Sequence, residues 1–299
     1  MTATTAWQVG RATITPVIEV ETITSPRFLF KDLSKTGVLD IASRAPWLRG
    51  SFVDDDGYLL QRVQCLVIDV DGVRVAVDTC VGNDKPRANP GWNNLHLPFL
   101  ADLEAAGFPP DSIDAVVCTH LHVDHIGWNT MLVDGRWEPT FPSARYLFAR
   151  PEFEYWQATP DPAGDDIFGD SVAPVHEAGL ADLVPVDHTV DGASIRFDST
   201  PGHTPGHVSV VIESAGERAV ITGDMIHTPL QIADVGRSSM FDYDQQAAAD
   251  TRVSFLERYS DGDLVIGTHW GGPGAGRIVA AGDSAGEWAV EPVAAGPSS

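Results

Sequence analysis

The chain has 299 residues, of which 42 are acidic and 19 basic, for a formal net charge of −23. A nucleic-acid binder needs a basic footprint to exchange for condensed counterions, and no Lys/Arg cluster supplies one against that field, so nucleic-acid partners are excluded from the expected functions. With 43% hydrophobic residues and 8 Trp the chain can bury a sizeable core.

Three cysteines, Cys65, Cys80 and Cys118, are too few and too odd in number for a disulfide framework. Cys65 and Cys118 sit inside apolar runs and read as buried thiols. The first residues, MTATTAWQVG, have neither a cationic start followed by an apolar block nor a small-residue cleavage site, and no stretch approaches the roughly 18 apolar residues of a membrane helix. The expectation is a cytoplasmic protein with no membrane partner.

From the N-terminus, the β-branched alternation of Ala12 to Ile23 predicts a strand, and residues 27–61 then lose periodicity while gathering Phe28, Phe30, Trp47, Phe52 and Tyr58. This aromatic-rich segment reads as a packed insertion that caps a cleft or forms a dimer contact. CLVIDV, the turn at Asp71 and Gly72, and VRVAVD predict a hairpin. Leu97, Leu100, Leu103 and Ala106 have helical spacing with Gly107 as a stop, and IDAVVCTH follows as a buried strand. A second cycle runs through ARYLFAR, PEFEYWQ, HEAGLADL, SIRFDST, HVSVVIES and ERAVITGD. The segment QQAAADTRVSFLERYSD then predicts a helix with Val253, Leu256 and Tyr259 on one side, LVIGTH returns as a strand, and residues 291–299 are expected to fray. The alternation describes one α/β domain over 1–299.

The sequence THLHVDH places His120, His122, Asp124 and His125 at the end of a predicted strand, where ligands gather in α/β folds. On extended backbone His120 and His122 share a side while Asp124 and His125 point differently, so the motif can feed two metals. Three further fragments put donors at strand ends: His203 in TPGHTPGH, Asp224 in ITGDMIH and His269 in IGTHW. His207, which opens an apolar strand, is expected to be a buried hydrogen-bonded residue, and His96, His176 and His188 to lie on the surface.

On these residues the chain resembles the metallo-β-lactamase superfamily, from about Val63 to His269. The resemblance implies an α/β four-layer αββα sandwich with its ligands at one edge. It implies that His120, His122 and His203 hold one metal, that Asp124, His125 and His269 hold the other, and that Asp224 bridges them. Asp78 matches an aspartate that steadies the histidine loop without touching metal. Nitrogen and oxygen donors with no thiolate suit zinc and also admit manganese, cobalt or iron. Trp128, Met225 and Trp270, neighbours of the ligands in sequence, are expected as pocket walls.

These identities separate the chain from other branches of the family. Flavodiiron oxygen reductases carry a glutamate where His122 stands, and true β-lactamases lack the aspartate at position 224. The resemblance is nearest to the lactonases of N-acyl-homoserine lactones and to the organophosphate and aryl-ester hydrolases. It implies a dinuclear hydrolase of a small neutral lactone or carboxylic ester, in which a metal-bridging hydroxide attacks the carbonyl and Asp124 takes up the proton. His227 replaces the tyrosine of the best-known acyl-homoserine lactonases. It either serves the substrate oxygen or leaving group or is structural, and the GDxxH arrangement keeps a phosphotriester hydrolase as the alternative. A glyoxalase-like thioesterase ranks lower, because the C-terminal region has few basic residues. A non-catalytic metal sensor would be expected to have lost ligands, and all seven positions are filled. Similar proteins imply a homodimer.

Overall fold

The structure, a computed structural model, describes residues 5–190, 192, 194–260, 262–281 and 286–297. Its strands in chain order are β1 (Thr5–Val9), β2 (Ala12–Thr24), β3 (Leu59–Val70), β4 (Val73–Val77), β5 (Ala115–Cys118), β6 (Thr130–Val133), β7 (Arg136–Pro139), β8 (Arg145–Ala149), β9 (Ala181–Val184), β10 (Ile195–Ser199), β11 (Val208–Ser214), β12 (Glu217–Ile221), β13 (Leu264–Ile266), β14 (Ala275–Ala280), β15 (Trp288–Pro292) and β16 (Gly296–Pro297). The helices are α1 (Pro26–Leu29), α2 (Lys35–Arg44), α3 (Phe99–Ala105), α4 (Arg150–Ala158), α5 (Ile167–Ser171), α6 (Ala173–Glu177), α7 (Leu230–Ala233) and α8 (Gln245–Arg258). One sheet has the order β16-β1-β2-β3-β4-β5-β8-β9, the other β10-β11-β12-β13-β14-β15, and β6-β7 is a separate hairpin.

Side-chain alternation along the strands builds the layers. Val75, Val77 and Val117 of the first sheet point into one apolar core with Val210, Ile212, Ile221 and Ile266 of the second. The intervening Ala76 and Val116 face outward, onto Phe99 and Leu103 of α3 and Phe153 of α4. On the opposite outer face Val211, Val220 and Val265 pack under α2, α7 and α8 through Val38, Ile41, Leu230, Phe255 and Leu256. Helix, sheet, sheet and helix therefore stack in four layers, the αββα arrangement.

Several sequence expectations are corrected by packing. The helix before β5 starts at Phe99, because Pro98 disfavours helical backbone at Leu97. Helix α8 buries Ala248, Arg252, Phe255 and Leu256, with Val253 only half-buried. The Arg252 guanidinium lies inside because it donates to the carbonyls of Met225, Val235 and Arg237.

The aromatic-rich segment is the outer layer of the second sheet more than a cap: Phe30, Leu33, Leu48, Phe52 and Val53 are core residues. Nor does the C-terminal tail fray where it is described. Trp288–Pro292 pairs with β14, Gly296–Pro297 pairs with β1, and the Trp7 indole donates to Val293 O at 2.9 Å; residues 298–299 lie outside the described residues. All three cysteines are free and buried. No helix among the described residues is long and apolar enough to cross a membrane.

Candidate metal centre

β4 and β5 run parallel, β12 and β13 run parallel, and β10 shares their direction because it is antiparallel to β11, itself antiparallel to β12. The carboxyl ends of these strands release Asp78, Thr119–His125, His203, Asp224 and His269 toward one edge, where open α/β sheets bind ligands.

Two donor sets form there. In one, His122 Nδ1 lies 3.0 Å from His120 Nε2 and 2.9 Å from His203 Nε2. In the other, His125 Nε2 and His269 Nε2 are 3.1 Å apart, with Asp124 Oδ2 3.4 Å from His269. Asp224 straddles both: Oδ2 is 3.6 Å from His203 and 3.9 Å from His120, whereas Oδ1 is 3.3 Å from His125 and 3.1 Å from His269.

The hydrogens on the imidazoles are fixed from behind. Carboxylates and carbonyls only accept, so His125 Nδ1 donates to Asp78 (2.8 Å), His203 Nδ1 to Asp242 (2.9 Å) and His269 Nδ1 to Arg62 O (2.8 Å). The Thr119 hydroxyl gives its hydrogen to Asp78, so it accepts from His120 Nδ1 at 3.0 Å. Each of these four rings therefore turns an unprotonated Nε2 inward when neutral. Ring nitrogens converging at 2.9–3.1 Å cannot all be paired by hydrogens. Donors about 2.0–2.1 Å from one ion lie roughly 3.3 Å apart in a tetrahedron, so both sets fit a divalent cation.

The electrostatics agree with that chemistry. Burial drives His120 and His203 well below the ordinary imidazole value and His122 to about 4. At His125 and His269 burial also opposes the charge, but carboxylates prevail. Asp224, Asp78 and Asp124 hold His125 well above its ordinary value, and Asp224 and Asp124 hold His269 at about 9. Burial alone would raise Asp224, yet His269, His125 and His227 bring it well below the carboxylate range. Positive charge is demanded between the two aspartates.

The sequence explains this local geometry. Gly223, at φ +57°, precedes Asp224 because a Cβ would meet the His207 ring at 2.5 Å. His207 is buried; its Nε2 accepts from Asp224 N at 3.0 Å and its Nδ1 pairs with Thr200 Oγ1 at 2.8 Å, so it holds the backbone of a donor and is not one. Asp78, at φ +55°, accepts from Thr119 N at 2.8 Å as well as from His125.

Above the donors opens a cavity of about 590 Å³, walled by Val20, Val63, Trp156, Phe28 and Phe241, with Asp124, Asp224 and His227 at its base. Trp128, Met225 and Trp270 are not among its walls. Trp128 stacks on Phe99 and donates to Glu19 at 2.7 Å, Trp270 packs edge-on against Phe52 and donates to Ile226 O, and Met225 joins the same outer core. These three side chains turn away from the ligands beside them; of the ligands' sequence neighbours Val123 lines the cavity, and most of the apolar wall comes from distant elements.

Sequence reasoning also missed Asp242, Arg62 O, Thr119 Oγ1 and Glu152. The buried Glu152 carboxylate accepts from Leu121 N and Gly206 N, tying the HxHxDH and PGH loops together. Asp242, Arg62 and Glu152 have no local motif and are identified only by their partners across the fold, whereas Thr119 opens the THLHVDH run itself.

An αββα sandwich with His and Asp clusters at one edge defines a class of metal-site proteins. The chain belongs to the metallo-β-lactamase superfamily, whose sequence profile matches residues 60–269. It is 30% identical over 123 residues to the N-acyl homoserine lactonase AttM of Rhizobium radiobacter, a stretch covering 40% of this chain and 43% of that protein, less than half the relative's length. The fold matches a hydrolase of the β-lactamase superfamily, AbOPH, at a TM-score of 0.77 and 21% identity over 98% of both chains. It matches AidC, a dizinc quorum-quenching lactonase in complex with a product, at 0.75 and 18% over 97% of both.

Proposed function

We propose that the protein is a metal-dependent hydrolase that opens a lactone or cleaves a neutral carboxylic ester. The observation that carries this reading is the Asp224 carboxylate, with one oxygen turned to the His120, His122 and His203 set and the other to His125 and His269. Two divalent ions held by these sets, zinc or, with the same nitrogen and oxygen donors, manganese, cobalt or iron, would supply Lewis acidity and lower the pKa of water from 15.7 to about 7.

The chain's own residues do the rest. Asp124 lines the cavity 3.4 Å from His269, within reach to take up the hydroxyl proton as the tetrahedral intermediate collapses. His227 lines the cavity with its Nε2 3.2 Å from Asp224 Oδ2; that nitrogen carries the hydrogen of the neutral ring and can pass it to a leaving oxygen beside Asp224. Val20, Val63, Trp156, Phe28 and Phe241 exclude water and take an apolar substituent.

Among the lining residues Arg62 is the one Lys or Arg, and it is paired with Glu21 at 3.0 Å. Asp161 and Asp165 also line the cavity. Such a wall disfavours anionic substrates, which argues against a glutathione thioester. His227 favours phosphotriester hydrolysis as the second reading, because the same attack serves a neutral phosphorus centre.

The test is proton release by zinc-loaded and metal-free protein on a long-chain N-acyl-homoserine lactone, an aryl ester and a phosphotriester. A zinc-dependent kcat/KM of about 10⁴ M⁻¹s⁻¹ or more on the lactone is the expected result. A higher rate on the phosphotriester would transfer the assignment to the second reading, and no zinc-dependent turnover of any of the three would remove both.

Asp78→Asn is expected to loosen His125 and weaken metal retention by about 10- to 100-fold in competition with a chelator. Unchanged retention would show that the aspartate does not steady the donor set.

A further inference from the structure

Between α7 and α8 the chain crosses the mouth of the cavity, and residues 239–244 have two opposite characters. Met240, Phe241 and Tyr243 are 50%, 43% and 65% exposed, although all three are large and apolar or aromatic. The Asp242 side chain between them is only 2% exposed. Its Oδ2 accepts from Ser239 N at 2.7 Å and its Oδ1 from His203 Nδ1 at 2.9 Å.

The segment is tied at further points to its surroundings. Met240 N donates to Leu29 O at 2.8 Å, the Phe241 ring meets Phe28 at 5.3 Å, and the amides of Tyr243 and Asp244 donate to His203 O and Gly202 O at 3.0 and 2.9 Å. These ties end on α1 and on the loop that carries His203, and the Tyr243 ring meets Tyr155 of α4 at 5.5 Å.

A buried carboxylate costs several kcal/mol unless it is well compensated, and a neutral imidazole compensates it poorly. An imidazole whose Nε2 holds a divalent cation is a far stronger Nδ1–H donor, and the carboxylate in turn makes that imidazole a better ligand. Both groups gain more when the ion is present.

We propose that Asp242 is a positioning residue that couples the ion held by His203 to the order of the apolar cavity mouth at residues 239–244. Metal binding orders the mouth, and apolar occupancy of the mouth tightens the metal. By linkage, the gain in affinity for an apolar occupant on metal binding equals the gain in metal affinity on apolar occupancy. The inference rests on the metal-site half of the proposed function and not on any substrate.

The test compares amide hydrogen exchange of residues 238–244 in chelated and zinc-loaded parent protein, with β11 as an internal reference. Zinc is expected to slow exchange in this segment by about 10- to 100-fold more than in β11. D242N is expected to bind zinc weaker by a similar factor in chelator competition and, at saturating zinc, to lose the added protection. In cobalt-loaded protein, 1-octanol is expected to shift the visible bands of the parent and not those of D242N.

Exchange in the parent that zinc leaves unchanged would overturn the proposal, as would D242N retaining zinc as tightly as the parent. The first measurement needs no variant, so a D242N chain that fails to fold leaves a decisive test in place. A protein that gains protection with zinc yet hydrolyses no ester would sink the enzymatic reading and leave this one standing.

Discussion

Asp224→Asn is expected to lower kcat/KM on the ester substrate by at least about 10³-fold and to reduce the metal content below two ions per chain. Loss of a single stabilising donor in an active site costs about 10²- to 10³-fold, and in the proposed site Asp224 would serve both ions at once. The amide retains a carbonyl for one set but turns an NH₂ toward the other, replacing an acceptor with a donor at the point where positive charge is demanded.

The fold itself should survive this change. The residue 224 backbone is held by His207 Nε2 and by the left-handed Gly223, neither of which involves the carboxylate. Unchanged circular dichroism with two ions lost would locate the effect in the site. Full activity with two ions retained would exclude a bridging carboxylate.

The parts of the site that were legible in the sequence are those with local spacing. His120, His122, Asp124 and His125 fall within one loop, and His203, Asp224 and His269 each follow a predicted strand, so strand ends lead to all seven as candidates, while their division into two sets came from the family resemblance. The four layers followed from the family resemblance alone: Val75, Ala76 and Val77 are all apolar, so their alternation between two cores shows only in the structure.

What could not be read is what lies across the fold. Asp242 reaches His203 over 39 residues and Arg62 O reaches His269 over 207. No periodicity links such pairs, and only sheet stacking brings them together. Trp270 shows the converse error: adjacency to His269 suggested a pocket wall, yet the chain turns its indole to Phe52 and Ile226. The fray expected at the C-terminus failed because β1 offered an edge for Gly296–Pro297 to pair with, which composition does not reveal.

Zinc and pH are expected to act on stability together, with the metal-free protein most stable near pH 6.5 and the zinc-loaded protein lacking the alkaline decline. Consider the metal-free chain first. His269 is held at about 9 against its ordinary 6.5, and His125 is also raised. A raised imidazole contributes its full stabilisation below pH 6.5 and loses it as pH rises through the folded-state value. For His269 that loss is on the order of 3 kcal/mol between pH 6.5 and 9.

His122 has the opposite sign. Held at about 4 by burial, it leaves the folded state intact above pH 6.5 and destabilises it as pH falls from 6.5 through 4, together with His120 and His203. The two limbs meet near pH 6.5. When the Nε2 atoms of His125 and His269 hold an ion in place of protons, raising the pH no longer removes anything from them, and ligand deprotonation favours binding. Melting temperatures in chelator should therefore fall by several degrees from pH 6.5 to pH 9, while those with stoichiometric zinc should not. A metal-free Tm that stayed level or rose over that interval would mean that Asp224 and Asp124 do not hold protons on these two rings, and that the charge demanded at the site has another source.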